Sequence, residues 1–132
     1  MSIPMPTSNR LNIIIAAGPS DASRALLGLA MASAASADGI ETSVYFAMAG
    51  AQFVNTEHCD KVFVDGFPSV ATFIELIIAG GGEVAYCPSC IGGECSGVVL
   101  DKLIRRHACD KATPEGMASY ARLLVEASTV VF

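Results

Sequence analysis

Apolar residues along the chain fall into blocks with either strand-like or helix-like spacing. Residues 11–17 (LNIIIAA) form a continuous apolar run, which is typical of a buried parallel strand that is covered on both faces. Residues 40–50 alternate and are rich in β-forming side chains, so they predict a second strand. Residues 83–86 and 129–132 predict two further strands. Residues 61–67 predict either a short edge strand or an extended connection.

Helix-like segments separate these strands. Four segments combine helical spacing of apolar residues with helix-forming composition: residues 22–39, 68–82, 97–108 and 113–128. Ser20 or Asp21 can cap the first helix, and Gly39 suits the left-handed conformation that often ends one. A Thr-Pro pair followed by Glu115 predicts the start of the last helix.

Strands that alternate with helices predict an α/β three-layer sandwich. The expected sheet is mostly parallel, has about five strands and carries helices on both faces. The sequence shows no repeat and no low-complexity linker. We therefore expect a flexible tail over residues 1–10 and a single domain over residues 11–132.

Composition narrows the possible functions. Apolar residues make up 52% of the chain and charged residues 16%, which favours either a sheet buried on both faces or a homo-oligomer. No apolar run approaches the roughly 18 residues of a membrane span, and the N-terminus does not resemble a signal peptide, so we expect a cytoplasmic protein. The net charge of −5, with no basic stripe, argues against nucleic acid as a partner. No nucleotide-binding glycine motif occurs, and we expect no cofactor.

The candidate chemistry lies in one cysteine-rich segment, which reads CPSCIGGEC from Cys87 to Cys95. In a parallel sheet, functional groups gather beyond the C-terminal ends of the strands. Cys87 follows a predicted strand, so Cys87, Cys90 and Cys95 are expected at that edge, beside the loops that begin at Gly18 and Met48. These three cysteines are the candidate catalytic residues.

Two alternatives to a single nucleophile remain open. The three thiols could bind zinc, or an iron–sulfur cluster shared between subunits, although a fourth ligand from His107 or Cys109 would lie about 18 Å away along a helix. The Cys87-x-x-Cys90 spacing also fits a dithiol redox protein. The glycines that follow oppose immediate helix formation, which would weaken the effect of a helix dipole on Cys87.

The third hypothesis assigns the reaction to Cys87 as a nucleophile, because backbone N–H groups in a glycine-rich loop stabilise a thiolate. Cys59 and Cys109 are interpreted as packing residues, and His107 as a cation at a helix C-terminus. His58 has no assigned role. A basic cluster can serve either as a solvated face or as a docking patch for an acidic carrier or for the charge of a thiosulfonate group: Lys102, Arg105 and Arg106.

The order of segments resembles the DsrE/DsrF-like family. Residues 18–54 are similar to its opening, in which a small-residue helix leads to a strand that ends in Phe-x-x-x-Gly, here Phe46 to Gly50. Residues 67–89 are similar to its second half, which ends at the cysteine, and residues 116–132 are similar to its closing helix and strand. The similarity spans most of the chain from Leu11 to Phe132.

This resemblance implies a sulfur-relay protein that accepts sulfane sulfur on Cys87 and passes it to a partner thiol. The implied partners are small sulfur donors and a TusA-like sulfur carrier, in sulfur oxidation or tRNA thiolation. The resemblance also implies a homotrimer or hexamer. Cys90 and Cys95 depart from the simple pattern of the family and could share or resolve the sulfur bound to Cys87.

Overall fold

One parallel sheet organises the molecule. The computed structural model describes residues 10–54, 64–93, 112–125 and 127–132. Within these ranges the strands are β1 (Arg10–Ile15), β2 (Glu41–Phe46), β3 (Glu83–Tyr86), β4 (Thr113–Pro114) and β5 (Ser128–Val131). They lie side by side in the order β4-β3-β2-β1-β5, and every pairing is parallel. The predicted α/β class and the parallel sheet are therefore confirmed.

Helices cover both faces of this sheet. On the first face α1 (Ala22–Ala37) and α2 (Val70–Ala79) bury their apolar sides against Ile13, Val44 and Val84. On the second face α3 (Met117–Leu124) places Tyr120 against Tyr45 and Ala85. Because successive residues of a strand point to opposite faces, the two sets of strand residues form separate cores.

Small residues hold the first face together at close range. Gly28 of α1 lies so near the sheet that an added Cβ would be 2.5 Å from the Cδ1 atom of Ile15. The buried Ser36 hydroxyl donates to the Ile77 carbonyl at 3.0 Å and ties α1 to α2. The alanine- and serine-rich composition of the first helix thus permits the short distances that the layers require.

Buried polar groups fix α3 on the second face. The side-chain amide of Asn12, on the interior strand β1, donates to the Leu123 carbonyl at 3.2 Å. The Ser43 and Tyr120 hydroxyls lie 3.0 Å apart and are hydrogen-bonded. Such bonds offset the cost of burying polar groups, and they set the position of Tyr120 along the sheet.

Three local predictions were not confirmed in full. Thr113 and Pro114 do not open a helix but form the edge strand β4, where a proline without an N–H is tolerated, and Glu115 N–H continues the pairing to the Tyr86 carbonyl at 2.9 Å. Residues 64–67, the described part of the predicted 61–67 segment, form a turn and not a strand. Asp21 occupies the N-cap of α1, but its side chain makes no capping bond.

Candidate functional site

The C-terminal edge of the sheet is built from three short 3-10 helices that directly follow β1, β2 and β3: Pro19–Asp21, Met48–Val54 and Pro88–Gly93. Hydrogen bonds fasten the segment after β2 to β1, from Ala47 N–H to the Ile15 carbonyl at 3.0 Å and from Gly50 N–H to the Ala16 carbonyl at 3.1 Å. This edge is the place at which the sequence predicted the functional loops.

A close backbone approach fixes the middle segment. A Cβ atom on Gly50 would lie only 2.0 Å from the Ile15 carbonyl oxygen, so only glycine fits there without movement of β1. Met48 begins the same segment with a φ of 52°, a left-handed conformation that is uncommon for a residue with a side chain. The edge is therefore held in a defined, locally strained shape.

Cys87 lies at the first position after β3. Its N–H donates to the Phe46 carbonyl at 2.8 Å, so it extends the pairing between β2 and β3 by one residue. Only 2% of its surface is exposed, and it packs with Tyr45, Ala47, Ala85 and Tyr120 in the core of the second face. The thiol is thus held by the sheet itself and not by a free loop.

Cys90 lies one turn further along. Its N–H donates to the Cys87 carbonyl at 3.2 Å, and the half-buried side chain packs against the cores of both faces. An i to i+3 bond of this kind brings the two Cα atoms within about 7 Å, the range that a disulfide can span. The structure therefore brings Cys87 and Cys90 together.

Tyr45 reaches the same site from β2. The register pairs Tyr45 with Ala85, so Cys87 is its diagonal neighbour, two residues further along the same face. The Tyr45 hydroxyl donates to the Glu115 carbonyl at 2.7 Å. Its ring stacks on Tyr120, with the centroids 4.0 Å apart and an interplanar angle of 11°. Stacking and hydrogen bonding together hold the phenol at one orientation.

Hydrogen bonds lower the pKa of the Cys87 thiol by more than burial raises it. Burial alone would raise the pKa of Cys87, but hydrogen bonds from the Cys90 side chain, the Tyr45 hydroxyl and the backbone N–H groups of Ser89 and Cys90 outweigh it. The pKa of Cys87 therefore lies below its ordinary value. Burial, followed by hydrogen bonding to Cys87, raises the pKa of Tyr45, which keeps the phenol protonated as a donor.

Several predicted residues lie outside the part of the chain that the structure describes: Cys59, Cys95, Cys109, His58, His107, Lys102, Arg105 and Arg106. The three-cysteine metal hypothesis therefore stays a prediction. Among residues 10–54, 64–93, 112–125 and 127–132, no three His, Cys, Asp or Glu side chains are placed to hold a metal ion. Within the same ranges, no helix has the length and apolar character to cross a membrane.

Sequence reasoning missed Tyr45 and Tyr120. Tyr45 was interpreted only as a β-forming residue of the second strand, and Tyr120 as part of the last helix. A signal was present, because Tyr45 carries a polar tip one residue before the end of the strand, at the edge where functional groups gather. Its partner could not be identified without knowing that β2 lies next to β3 and in which register.

Comparisons with known proteins agree with this architecture. The model of the DsrE/DsrF-like family matches residues 9–131. The fold is similar to the crystal structure of the YchN protein from Escherichia coli, with a TM-score of 0.68 and 12% identity over 93% of this chain and 98% of that one.

A second solved structure, a conserved protein of unknown function (BT1422) from Bacteroides thetaiotaomicron, gives a TM-score of 0.63 and 14% identity over 98% of this chain and 100% of that one. At these identities the two likenesses establish the fold alone. No curated protein matches the sequence.

Proposed function

Because the chain belongs to the DsrE/DsrF-like family, which generally serves sulfur relay, we propose that it takes up sulfane sulfur on Cys87 and passes it to a partner thiol. The observation that carries the proposal is the position of Cys87 directly after β3, at the C-terminal edge of the sheet, where hydrogen bonding holds the pKa of its thiol below the ordinary value. A thiolate, and not a thiol, is the nucleophile in such reactions.

The proposed reaction has two nucleophilic displacements. The Cys87 thiolate attacks the outer sulfur of a persulfide, polysulfide or thiosulfonate; the S–S bond of the donor breaks, and the remainder of the donor leaves with the electron pair. Cys87 then carries a persulfide. A partner thiolate attacks the outer sulfur of that persulfide, the second S–S bond breaks, and the Cys87 thiolate is regenerated. No net electron transfer occurs in either step.

Cys90 is the proposed helper, because its side chain contributes to the low pKa of Cys87 and its turn brings it within disulfide range. Cys95 is included as a further candidate on the sequence alone. We further propose that the protein is cytoplasmic, that its partner is a TusA-like carrier and that it assembles into homo-oligomers. The pathway served would be sulfur oxidation or tRNA thiolation.

One observation favours a second candidate function. The bond from Cys90 N–H to the Cys87 carbonyl fits a Cys-x-x-Cys pair that cycles between dithiol and disulfide. Such a protein would exchange electrons with other thiols and would not retain a transferred sulfur atom. The two functions therefore differ in the mass of the product.

Intact-mass spectrometry after incubation with polysulfide tests the proposal. The reduced protein is expected to gain the mass of one sulfur atom, localised to Cys87 by fragmentation of the peptide that contains it. A TusA-like carrier added afterwards should remove that mass and gain it. Cys87→Ser should gain no sulfur at this peptide, whereas Cys59→Ser serves as a matched control and should load normally.

Three outcomes would contradict sulfur transfer on Cys87. The wild type could gain no sulfur, or Cys87→Ser could gain as much as the wild type at this peptide. The wild type could also lose two hydrogen atoms through a Cys87–Cys90 disulfide without retaining sulfur, which would support the dithiol function instead.

A further inference from the structure

The Tyr45 hydroxyl has one proton and two acceptors within its surroundings. It donates to the Glu115 carbonyl at 2.7 Å. The register of β2 and β3 places Cys87 diagonally next to Tyr45 on the same face, and both belong to one buried cluster. A phenol donates a single hydrogen bond, so it can serve the carbonyl or the sulfur, but not both fully at once.

We propose that Tyr45 is a catalytic residue whose hydroxyl follows the charge on Cys87, bonding to the Glu115 carbonyl beside a neutral thiol and to the sulfur beside a thiolate. The exchange requires rotation about the C–O bond only, so the ring can stay stacked on Tyr120. A hydrogen bond to an ionised acceptor is stronger than one to a neutral carbonyl, and this difference would drive the exchange.

The surroundings of Tyr45 suit a donor of this kind. The titratable groups around the Tyr45–Cys87 pair are Cys90 from the 3-10 helix, Glu115 from the segment before α3 and Tyr120 from α3. Burial, followed by hydrogen bonding to Cys87 and the negative charge of Cys87, Cys90 and Glu115, raises the pKa of Tyr45, so the phenol keeps its proton when Cys87 loses one. It can therefore stabilise the thiolate without taking up its charge.

The role in sulfur transfer rests on the proposed function. During attack on an anionic persulfide or polysulfide, negative charge leaves the sulfur of Cys87 and appears on the departing group, while the charge that the outer sulfur carried in the donor stays on the outer sulfur of the new persulfide. The Tyr45 proton is then free to return to the Glu115 carbonyl. When a partner collects the sulfur, the thiolate reappears and the hydroxyl turns back to stabilise the leaving group.

The pH dependence of alkylation tests the inference without any sulfur donor. The rate at which iodoacetamide modifies Cys87, followed by fragment-localised mass spectrometry, reports the pKa of this thiol in the reduced full-length protein. Tyr45→Phe keeps the ring and its stack but removes the hydroxyl. Loss of one hydrogen bond to a charged acceptor should raise the pKa of Cys87 by about one unit, leaving about tenfold less thiolate at lower pH.

Tyr86→Phe provides the matched control. Tyr86 precedes Cys87 directly but lies in the core of the opposite face, so the same loss of a hydroxyl should leave the alkylation profile of Cys87 unchanged. An unchanged profile in Tyr45→Phe, or an equal shift in both variants, would overturn the role of Tyr45.

A second measurement keeps every hydroxyl and does not depend on whether Tyr45→Phe folds. Replacement of all tyrosines by 3-fluorotyrosine makes each phenol a more acidic donor, which should lower the pKa of Cys87. A profile identical to that of the wild type would contradict the inference. Sulfur loading is scored separately, so a wild type that gains no sulfur would remove the proposed function while leaving the titration result intact.

Discussion

At the scale of single residues, the site combines burial of the Cys87 thiol with hydrogen-bond donors that favour its ionised form. A thiol with 2% exposure in apolar surroundings would ordinarily resist ionisation. Here hydrogen bonding with the Cys90 side chain, the Tyr45 hydroxyl and the backbone N–H groups of Ser89 and Cys90 lowers the pKa of the thiol. The thiolate is stabilised where solvent does not reach it, which favours reaction with a selected donor over reaction with bulk oxidants.

The lowered pKa of Cys87 predicts a pH-dependent contribution to stability. A group with a depressed pKa in the folded state stabilises the fold above its unfolded-state pKa, about 8.5 for cysteine, and loses that contribution as the pH falls through its folded-state pKa. The free energy of unfolding of the reduced wild type, relative to Cys87→Ser, should therefore be larger at about pH 9.5 than at about pH 6.

Urea unfolding of both proteins at each pH, in the presence of a reductant, provides the measurement. Each unit by which the pKa is lowered adds about 1.4 kcal/mol to the difference at high pH. Cys59→Ser, measured in parallel, indicates how much of the pH dependence belongs to cysteine replacement in general. A difference that stays constant or shrinks as the pH rises would contradict the assigned direction of the shift.

At the scale of elements, the sequence allowed prediction wherever local periodicity determines the structure. The buried strand β1, the small-residue helix α1 and the apolar helix α2 follow from spacing alone. The edge strand β4 could not be predicted, because two residues carry no periodicity and the Thr-Pro pair is equally typical of a helix start. Its strand conformation comes from pairing with β3, which is a tertiary effect.

The residues of the candidate site also fall into two groups: those that the local sequence predicts and those that only the tertiary structure brings to the site. Cys87 at the sheet edge was predictable because it follows an apolar strand and precedes polar and glycine residues. Its contact with Cys90 follows from their spacing, which matches a single turn. The role of Tyr45 depends on the order and register of two strands that are separated by almost forty residues of chain, and no local pattern contains that information.

The segment after β2 offers a prediction at this scale. Gly50→Ala places a methyl group against the Ile15 carbonyl, and the backbone of β1 cannot move without disturbing its pairing with β2 and β5. We expect the substitution to lower the free energy of unfolding by about 1–3 kcal/mol, the usual cost of overpacking. Thermal and urea unfolding of the purified variant would measure it.

Gly116→Ala is the matched control, since an added Cβ at Gly116 meets nothing within 4 Å and its backbone is extended. Because Gly116 is the N-cap of α3, where alanine is less favourable than glycine, the substitution should still lower stability by no more than about 1 kcal/mol. Equal effects of the two substitutions on the free energy of unfolding would contradict the prediction that the close approach at Gly50 makes an added methyl group costly.

At the scale of the whole molecule, the order of the strands determines which of them are protected inside the sheet and which are exposed at its sides. β1 and β2 lie in the middle of the described sheet, and Cys87 extends β3 where it pairs with β2. In contrast, β4 has only two residues, and all four residues of β5 are exposed. The Cys87 thiol is therefore anchored toward the stable centre, while the strands at either side of the sheet have less protection.

Hydrogen exchange should reproduce this order. Amides of β1 and β2 are expected to exchange slowest, because their hydrogen bonds break only when the central sheet opens, whereas amides of β5 exchange through local fraying. Native-state exchange followed by NMR should be measured at a dilution at which light scattering gives the 13.6 kDa mass of one chain. The proposed assembly into homo-oligomers would add protection of its own. Exchange in β5 as slow as in β1 in that monomeric sample would contradict the order, because the fraying of an exposed strand requires no opening of the centre.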